Sequence, residues 1–411
     1  MSDSGIRGAS GELVLALNCG SSSIKFAVFD GGVWPVPRTP LWRGSVQGIG
    51  GSSPGYAIGG AQPLPLVLDP AQPGAAALRR ILGEVRSRLA GRRVGLIVHR
   101  VVHGGERYAD PVRLDAAVVD DLEACIPLAP LHQPQALEAI RQTLAAEPEV
   151  PQVACFDTAF HRSIEPVERT LPLPHAAWQR GLRREGFHGV SYAYLAETLP
   201  ARHGRRARGR VIAAHLGSGA SLCAMHDLTS RATTMGFSAL EGLMMGTRSG
   251  SIDPGVLLHL LRVEGRSPEQ ISRLLYHESG LLGVSGISAE PRVLARHEQD
   301  PGERGERARL ALDMYVRRIV REIGALTAVL GGLDMLVVTA GVGEHSALVR
   351  ARTCAALQWL GVQLDDPANA GNLPLISHPG SRVLVAVEPT NEEWIAATQG
   401  LVCIGRAPAT F

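Results

Sequence analysis

The run Leu13-Val14-Leu15-Ala16-Leu17-Asn18-Cys19-Gly20-Ser21-Ser22-Ser23-Ile24-Lys25-Phe26-Ala27-Val28-Phe29-Asp30 reads as strand, tight polar turn and second strand. Gly20 lets the backbone approach an anion, and backbone N–H groups with the hydroxyls of Ser21, Ser22 and Ser23 supply donors without bulk, the outline of a phosphate cradle. It is not a Walker loop, because GxxxxGK[ST] is absent and the turn leads into a strand instead of a helix. An ordinary hairpin with a serine-rich turn is the other reading of the same stretch. Composition favours the cradle: of 41 basic residues Lys25 is the only lysine. A compact ammonium is not replaceable by a planar guanidinium in a tight pocket, which points to a specific role for Lys25.

At 411 residues the chain is long enough for two or three cores. A formal net charge of +2, with acids and bases interspersed, gives no face suited to nucleic acid or a membrane surface. The six cysteines, at 19, 125, 155, 223, 354 and 403, are too far apart for CxxC pairs or zinc knuckles, and a reducing cytoplasm fits them. The polar start and the short apolar run behind it do not read as a signal peptide, and Asp334 interrupts the longest membrane-span candidate, 326–341.

Beyond the hairpin, 31–75 reads as short strands and loops extending the first sheet, and Arg79–Ala90 as a helix. Val94 to Val98 is a buried-strand pattern running into His99-Arg100-Val101-Val102-His103-Gly104-Gly105. HExxH is absent there, so a strand delivering Arg100 is preferred to a zinc site. A loop over 127–134, an amphipathic helix over 135–146 and the apolar strand Val153–Phe156 follow, the last ending on Asp157. That carboxylate is either ligand chemistry at a strand end or a cap for the next turn. At 212–227 the opening pattern returns: without a gap, Gly217 falls on Gly20, Ser218 on Ser21, Ala224 on Ala27 and Asp227 on Asp30. The reading is two related domains, each presenting a phosphate turn to a shared cleft, in full strand-turn-strand register. Farther on lie a glycine-rich loop, 242–255, carrying Arg248 and closed by the helix-starting Asp253-Pro254, and a long helix over 303–330. A buried strand at 335–339 then breaks into Gly341 and Gly343 as a third anion-contacting turn, and Pro389-Thr390-Asn391-Glu392-Glu393 opens the last helix, by a capping box on the simplest account.

Asn18-Cys19-Gly20-Ser21-Ser22-Ser23, His99 to Gly105, Phe156-Asp157-Thr158-Ala159-Phe160-His161, Gly186-Phe187-His188-Gly189, Leu240 to Gly250 and Thr390-Asn391-Glu392-Glu393 together resemble the acetate kinase family, collinearly from about residue 13 to 400. The resemblance implies an α/β fold of two ribonuclease-H-like domains, as in acetate and sugar kinases, actin and chaperone ATPases, with an interdomain nucleotide cleft. The first domain would be 1–158 plus about 393–411, and the second, carrying the nucleotide site, 159–392. It implies reversible phosphoryl transfer from ATP to acetate by direct in-line attack, with Mg²⁺ (Mn²⁺ as the substitute metal) and ATP/ADP as substrate. A cytoplasmic homodimer is implied too, with the 303–330 helix as a contact.

Carried over position by position, Arg100, Asp157, His188 and Arg248 are the catalytic residues, and Arg100, Val102, Leu131, Phe187 and Ala239 line the acetate site. Lys25, Ser21, Ser23, His215, Gly217, Ser218, Gly219, Glu290, Arg292, Gly341 and Gly343 hold nucleotide and phosphate, and Asn18 and Glu392 place the metal. Asp157 has two roles open to it, the metal or an arginine. The sequence departs from the family pattern at Ser218 (usually Asn), Ala232 (Asp), Tyr192 (His), His345 (Asn), Glu290 (Asp) and Ala239 (Pro). The Ala239 change opens the methyl pocket toward propionate. A non-catalytic nucleotide-binding relative and a sugar kinase are the rival readings.

Overall fold

The computed structural model describes residues 11–20, 22–130 and 132–408. The chain divides into two compact units. Of the described residues, the first holds those up to Phe160, Gly189–Tyr194 and those from Asn391 onward; the second holds His161–His188 and Leu195–Thr390. Against the sequence-based boundaries, Gly189–Tyr194 moves to the first unit. The reasons are local: the Gly189 amide donates to the Asp157 carbonyl at 2.9 Å, and the Tyr194 ring meets Trp394 edge-on at 5.8 Å.

In the first unit, β1 (Glu12–Cys19) and β2 (Ser23–Asp30) form an antiparallel hairpin, continued outward by β3 (Trp42–Gln47), β4 (Gly55–Ile58) and β5 (Leu64–Pro65). On the other side β6 (Arg93–Val101) runs parallel to β1, and β7 (Val112–Arg113) edges β8 (Gln152–Phe156), which is parallel to β6. The helices are α1 (Pro73–Ser87), α2 (Ala116–Glu123) and α3 (Gln133–Ala146). α1 starts six residues before the expected Arg79, because Pro73 is suited to the first helical position, where no amide donor is needed.

Strand alternation gives the first sheet two different faces. Leu13, Leu15, Leu17, Ile24, Phe26 and Val28 point to one side and form a core with Leu78, Ile81, Leu82 and Val85 of α1. The other side is covered by the last helix of the chain, Glu392–Cys403, which packs so closely that a side chain on Gly400 would meet Val98 at 2.5 Å.

In the second unit come α4 (Pro166–Arg169), α5 (His175–Gln179) and α6 (Gly189–His203, in this unit from Leu195), then β9 (Arg210–Leu216), β10 (Ala220–His226) and β11 (Thr229–Thr233). α7 (Pro254–Arg262), α8 (Pro268–His277), α9 (Gly280–Ser285), α10 (Pro291–His297) and α11 (Glu303–Leu330) follow. The unit closes with β12 (Met335–Thr339), α12 (Ala340–His345), α13 (Ala347–Ala356), α14 (Asp366–Ala370) and β13 (Leu384–Val387), before the last helix, α15, returns to the first unit. The sheet order β11-β10-β9-β12-β13 repeats β3-β2-β1-β6-β8 strand for strand. On α11, Leu312, Val316, Ile319, Ile323 and Leu326 are buried in the core of their own unit. No helix among the described residues is long and apolar enough to cross a membrane.

The two hairpins differ in one respect that the gapless alignment hides. Asn18 pairs with Lys25 with six residues between them across the first turn, whereas His215 pairs with Ser221 with five between them across the second. The full register read from sequence is therefore corrected by one residue after the turn. Because a one-residue slip exchanges the faces of a strand, the structural counterpart of Lys25 is Ser221, not Leu222.

Candidate active site

In the first unit, pairing aligns Lys25, Asn18 and Arg100 in one row across β2, β1 and β6, on the face that α15 covers. Arg100 Nε donates to Asp157 Oδ1 at 3.0 Å and Nη2 to Oδ2 at 2.7 Å, a two-pronged pair. Its Nη1 donates to Glu392 Oε2 at 2.5 Å, and Asn18 Nδ2 reaches the same oxygen at 3.1 Å. Burial works against the Arg100 charge, but the Asp157 and Glu392 carboxylates outweigh it and hold the guanidinium above its already high ordinary value. Of the two roles left open for Asp157, the geometry matches the arginine: both carboxylate oxygens accept from Arg100.

Glu392 and Glu393 occupy the first turn of α15, where the helix dipole favours negative charge. The capping-box account is corrected, since the cap is Asn391, whose side chain accepts from Trp394 N at 3.1 Å, and Glu392 is turned to Arg100. Burial, reinforced by Glu392, pushes Glu393 up, while Lys25 and Arg100 pull it down. Lys25 itself is exposed. In the turn, Gly20 N donates to Ser23 O at 2.8 Å. Val102 is half-buried just past β6, while Ser21 and Leu131 lie outside the described residues.

The second unit assembles a different set. His188 precedes α6 in the left-handed conformation, φ 60° and ψ 20°, rare for a residue with a side chain. It is held from behind by His161, whose Nε2 lies 3.0 Å from the Phe187 carbonyl and whose ring occupies the space a side chain on Gly186 would need. Burial takes His161 down to about 4, so it is neutral at neutral pH. The His188 ring stacks on His215 at 4.2 Å, and its Nδ1 lies 2.8 Å from Ser221 Oγ.

Arg248 comes from the loop before α7, pinned to α8 by Thr247 Oγ1 donating to the Tyr276 carbonyl and Ser249 N to that of Leu275. Its Nη1 donates to the Ala239 carbonyl at 3.3 Å, its guanidinium lies 6.0 Å from the centre of the Tyr276 ring, and burial lowers its pKa. His188 and Arg248 converge on Gly219: a Cβ there would stand 3.4 Å from His188 Nε2 and 3.5 Å from Arg248 Nη1. The glycine keeps open a space flanked by two nitrogens, where an oxyanion can sit.

Other expected residues are more dispersed. Gly217 N donates to Gly219 O at 2.9 Å within the turn, Ser218 is exposed, and Phe187 is buried. Glu290 and Arg292 form an exposed pair with each other at 3.3 Å. At the expected third glycine turn β12 passes directly into α12 at Ala340, Gly341 is exposed on that helix, and Gly343 packs inward, its absent side chain leaving room for Val338. Ser221 is the site residue that sequence reasoning missed; its cross-strand pairing with His215 is the signal, and reading it requires the length of the turn.

The acetokinase family model matches residues 13–398. An acetate kinase of Nitrobacter hamburgensis is 46% identical over 396 residues, 94% of this chain and 95% of that one. Another, of Rhodopseudomonas palustris, is 43% identical over 392 residues, with 94% and 97% covered. Among solved structures, Porphyromonas gingivalis acetate kinase matches with a TM-score of 0.84 at 35% identity, covering 96% of this chain and 100% of that one. A propionate kinase from Francisella tularensis matches with a TM-score of 0.84 at 31% identity, covering 94% and 98%. The likeness runs from β1 into α15 through every string on which the sequence resemblance rests, and the chain belongs to the acetokinase family.

Proposed function

We propose that the protein is an acetate kinase, transferring the γ-phosphoryl group of ATP reversibly to acetate to give acetyl phosphate and ADP. The observation that carries this reading is the convergence of His188 Nε2 and Arg248 on the open space at Gly219. Phosphoryl transfer asks the protein for positioning and for charge on the equatorial oxygens, and a guanidinium with an imidazole donor supplies both. Arg100, set by Asp157 and Glu392, offers its charge to the carboxylate and the transferring group. Acetate then attacks the γ-phosphorus in line, the bond to ADP breaks, and no covalent enzyme intermediate forms.

Mg²⁺ fits the residues present. Glu392 and Glu393 supply neighbouring carboxylates, with the Asn18 amide hydrogen-bonded to Glu392, and a cation would relieve the mutual repulsion that helps push Glu393 up. When bound with nucleotide, the metal neutralises phosphate charge. Ser23 and Lys25 serve the phosphate side, and His215, Gly217, Ser218 and Gly219 the nucleotide side.

Ala239 favours a second substrate, propionate. One methylene is worth about 1–3 kcal/mol, so the effect is a preference. Ala239→Pro should shift the ratio toward acetate, and an unchanged ratio would remove Ala239 from selectivity. For the homodimer, α7 is a better contact than α11, since Val256, Leu258 and Leu261 on α7 and Val263 just beyond it are exposed while the α11 stripe is buried.

The test is acyl-phosphate formation with Mg-ATP, trapped by hydroxylamine, for acetate, propionate and butyrate against a no-acid control. Hydroxamate from acetate is the expected result. Nucleotide binding without product from any acid would overturn the reading in favour of a non-catalytic relative.

A further inference from the structure

We infer that Ser221 is a positioning residue for His188: its hydroxyl donates to Nδ1, which keeps the imidazole neutral with its proton on Nε2, facing the space beside Arg248. The inference rests on the kinase reading for its kinetic consequence, but its structural content stands apart from it.

The geometry leaves His188 little freedom. Its backbone is fixed in the left-handed region, its ring is stacked within 14° of parallel to His215, and Nδ1 is 2.8 Å from Ser221 Oγ. Ser221 is fully buried on β10, directly opposite His215, so the stacking partner and the hydroxyl come from one cross-strand pair. A neutral imidazole has one N–H and one bare nitrogen, and the group bonded to one nitrogen sets the state of the other. A hydroxyl can donate to a bare Nδ1, which a carboxylate cannot do while ionised. The proton then stays on Nε2, the nitrogen 3.4 Å from where a Gly219 side chain would stand. An oxyanion there meets donors from both His188 and Arg248, with no proton to be acquired first.

The test pairs ¹⁵N NMR of histidine-labelled protein with steady-state kinetics on wild type, Ser221→Ala and Ser221→Thr. The His188 resonances, assigned with His188→Gln, should show the neutral Nε2–H tautomer in wild type and a mixed population in Ser221→Ala. In the kinase assay Ser221→Ala should lower kcat about tenfold with KM for acid and ATP within about twofold, and Ser221→Thr should recover most of the loss. A wild-type resonance from the Nδ1–H tautomer or an imidazolium would overturn the proposal, as would Ser221→Ala with wild-type tautomer and kcat. Should Ser221→Ala fail to fold, Ser221→Thr and Ser221→Cys carry the same comparison. Wild-type protein without kinase turnover but with the Nε2–H tautomer would overturn the function proposed above and support this assignment.

Discussion

The two hairpins share a sheet order and a glycine-bearing turn, yet the corresponding rows of their sheets carry opposite chemistry. In the first unit the row is Lys25, Asn18 and Arg100, two cations and an amide answered by the carboxylates of Asp157 and Glu392. In the second it is Ser221, His215 and Thr339, all uncharged hydrogen-bonding groups when His215 is neutral, and the cation, Arg248, arrives on a loop. One residue fewer in the second turn decides which side of β10 faces that row. A duplicated scaffold thus supplies charge from one copy and oriented neutral groups from the other.

The comparison breaks most sharply at the two arginines. Arg100→Ala and Arg248→Ala should each lower turnover by about 10³-fold. They should differ in stability, because Arg100→Ala leaves Asp157 buried without its partner, at a cost of about 3–5 kcal/mol, while Arg248 donates to a backbone carbonyl. Urea midpoints measured beside kcat will separate them, and equal midpoints would show that the first row is not held by its ion pairs. Next come the turn glycines. Gly219→Ala should cost about 10²-fold in kcat/KM with the fold intact, since its methyl group enters the space between His188 and Arg248. Gly20→Ala, whose methyl would be in ordinary contact with Ser23 at 3.4 Å, should stay within about threefold. The reverse order would place the reacting group at the first turn.

Lys25→Arg preserves charge on an exposed side chain, so a loss of about tenfold in kcat/KM with unchanged stability is the expected outcome. Full activity would mean that charge alone is used at this position. A last effect, on stability rather than turnover, is acid sensitivity common to both units. Burial takes His99 in the first and His161 in the second down to about 4. With an unfolded value near 6.5, the unfolded chain binds more protons between those limits, so stability falls as pH drops from about 6.5 toward 4. Each histidine contributes roughly 2 kcal/mol of loss by pH 5. Denaturation curves at pH 7.5 and 5 with His99→Gln and His161→Gln will show whether the loss divides between the units.

Much of this organisation was legible in sequence because central strands buried on both faces read as unbroken apolar runs, as at Leu13–Leu17, Val94–Val98 and Met335–Val338. The motif strings named Arg100, Asp157, His188, Arg248 and Glu392 directly. What stayed hidden depended on pairing. Small residues such as Ala220 and Ser221 align as well in one register as in the next, so only the ladder shows that Ser221 faces His215. Asp157 carried two roles until Arg100 was seen to occupy both its oxygens. That Gly343 also packs against Val338 was hidden as well, because absence of a side chain serves a ligand and a packed neighbour equally well.

The exposed Lys25 has a chemical consequence for a protein whose proposed product is an acyl phosphate. Such a product acylates amines and leaves guanidinium groups alone, so a chain with 41 basic residues and one lysine offers it a single ε-amino group. That amine stands in the row with Asn18 and Arg100. Any N-acylation of an internal side chain therefore removes the one charge that arginine has not replaced, and an intact-mass measurement reads it as a single event.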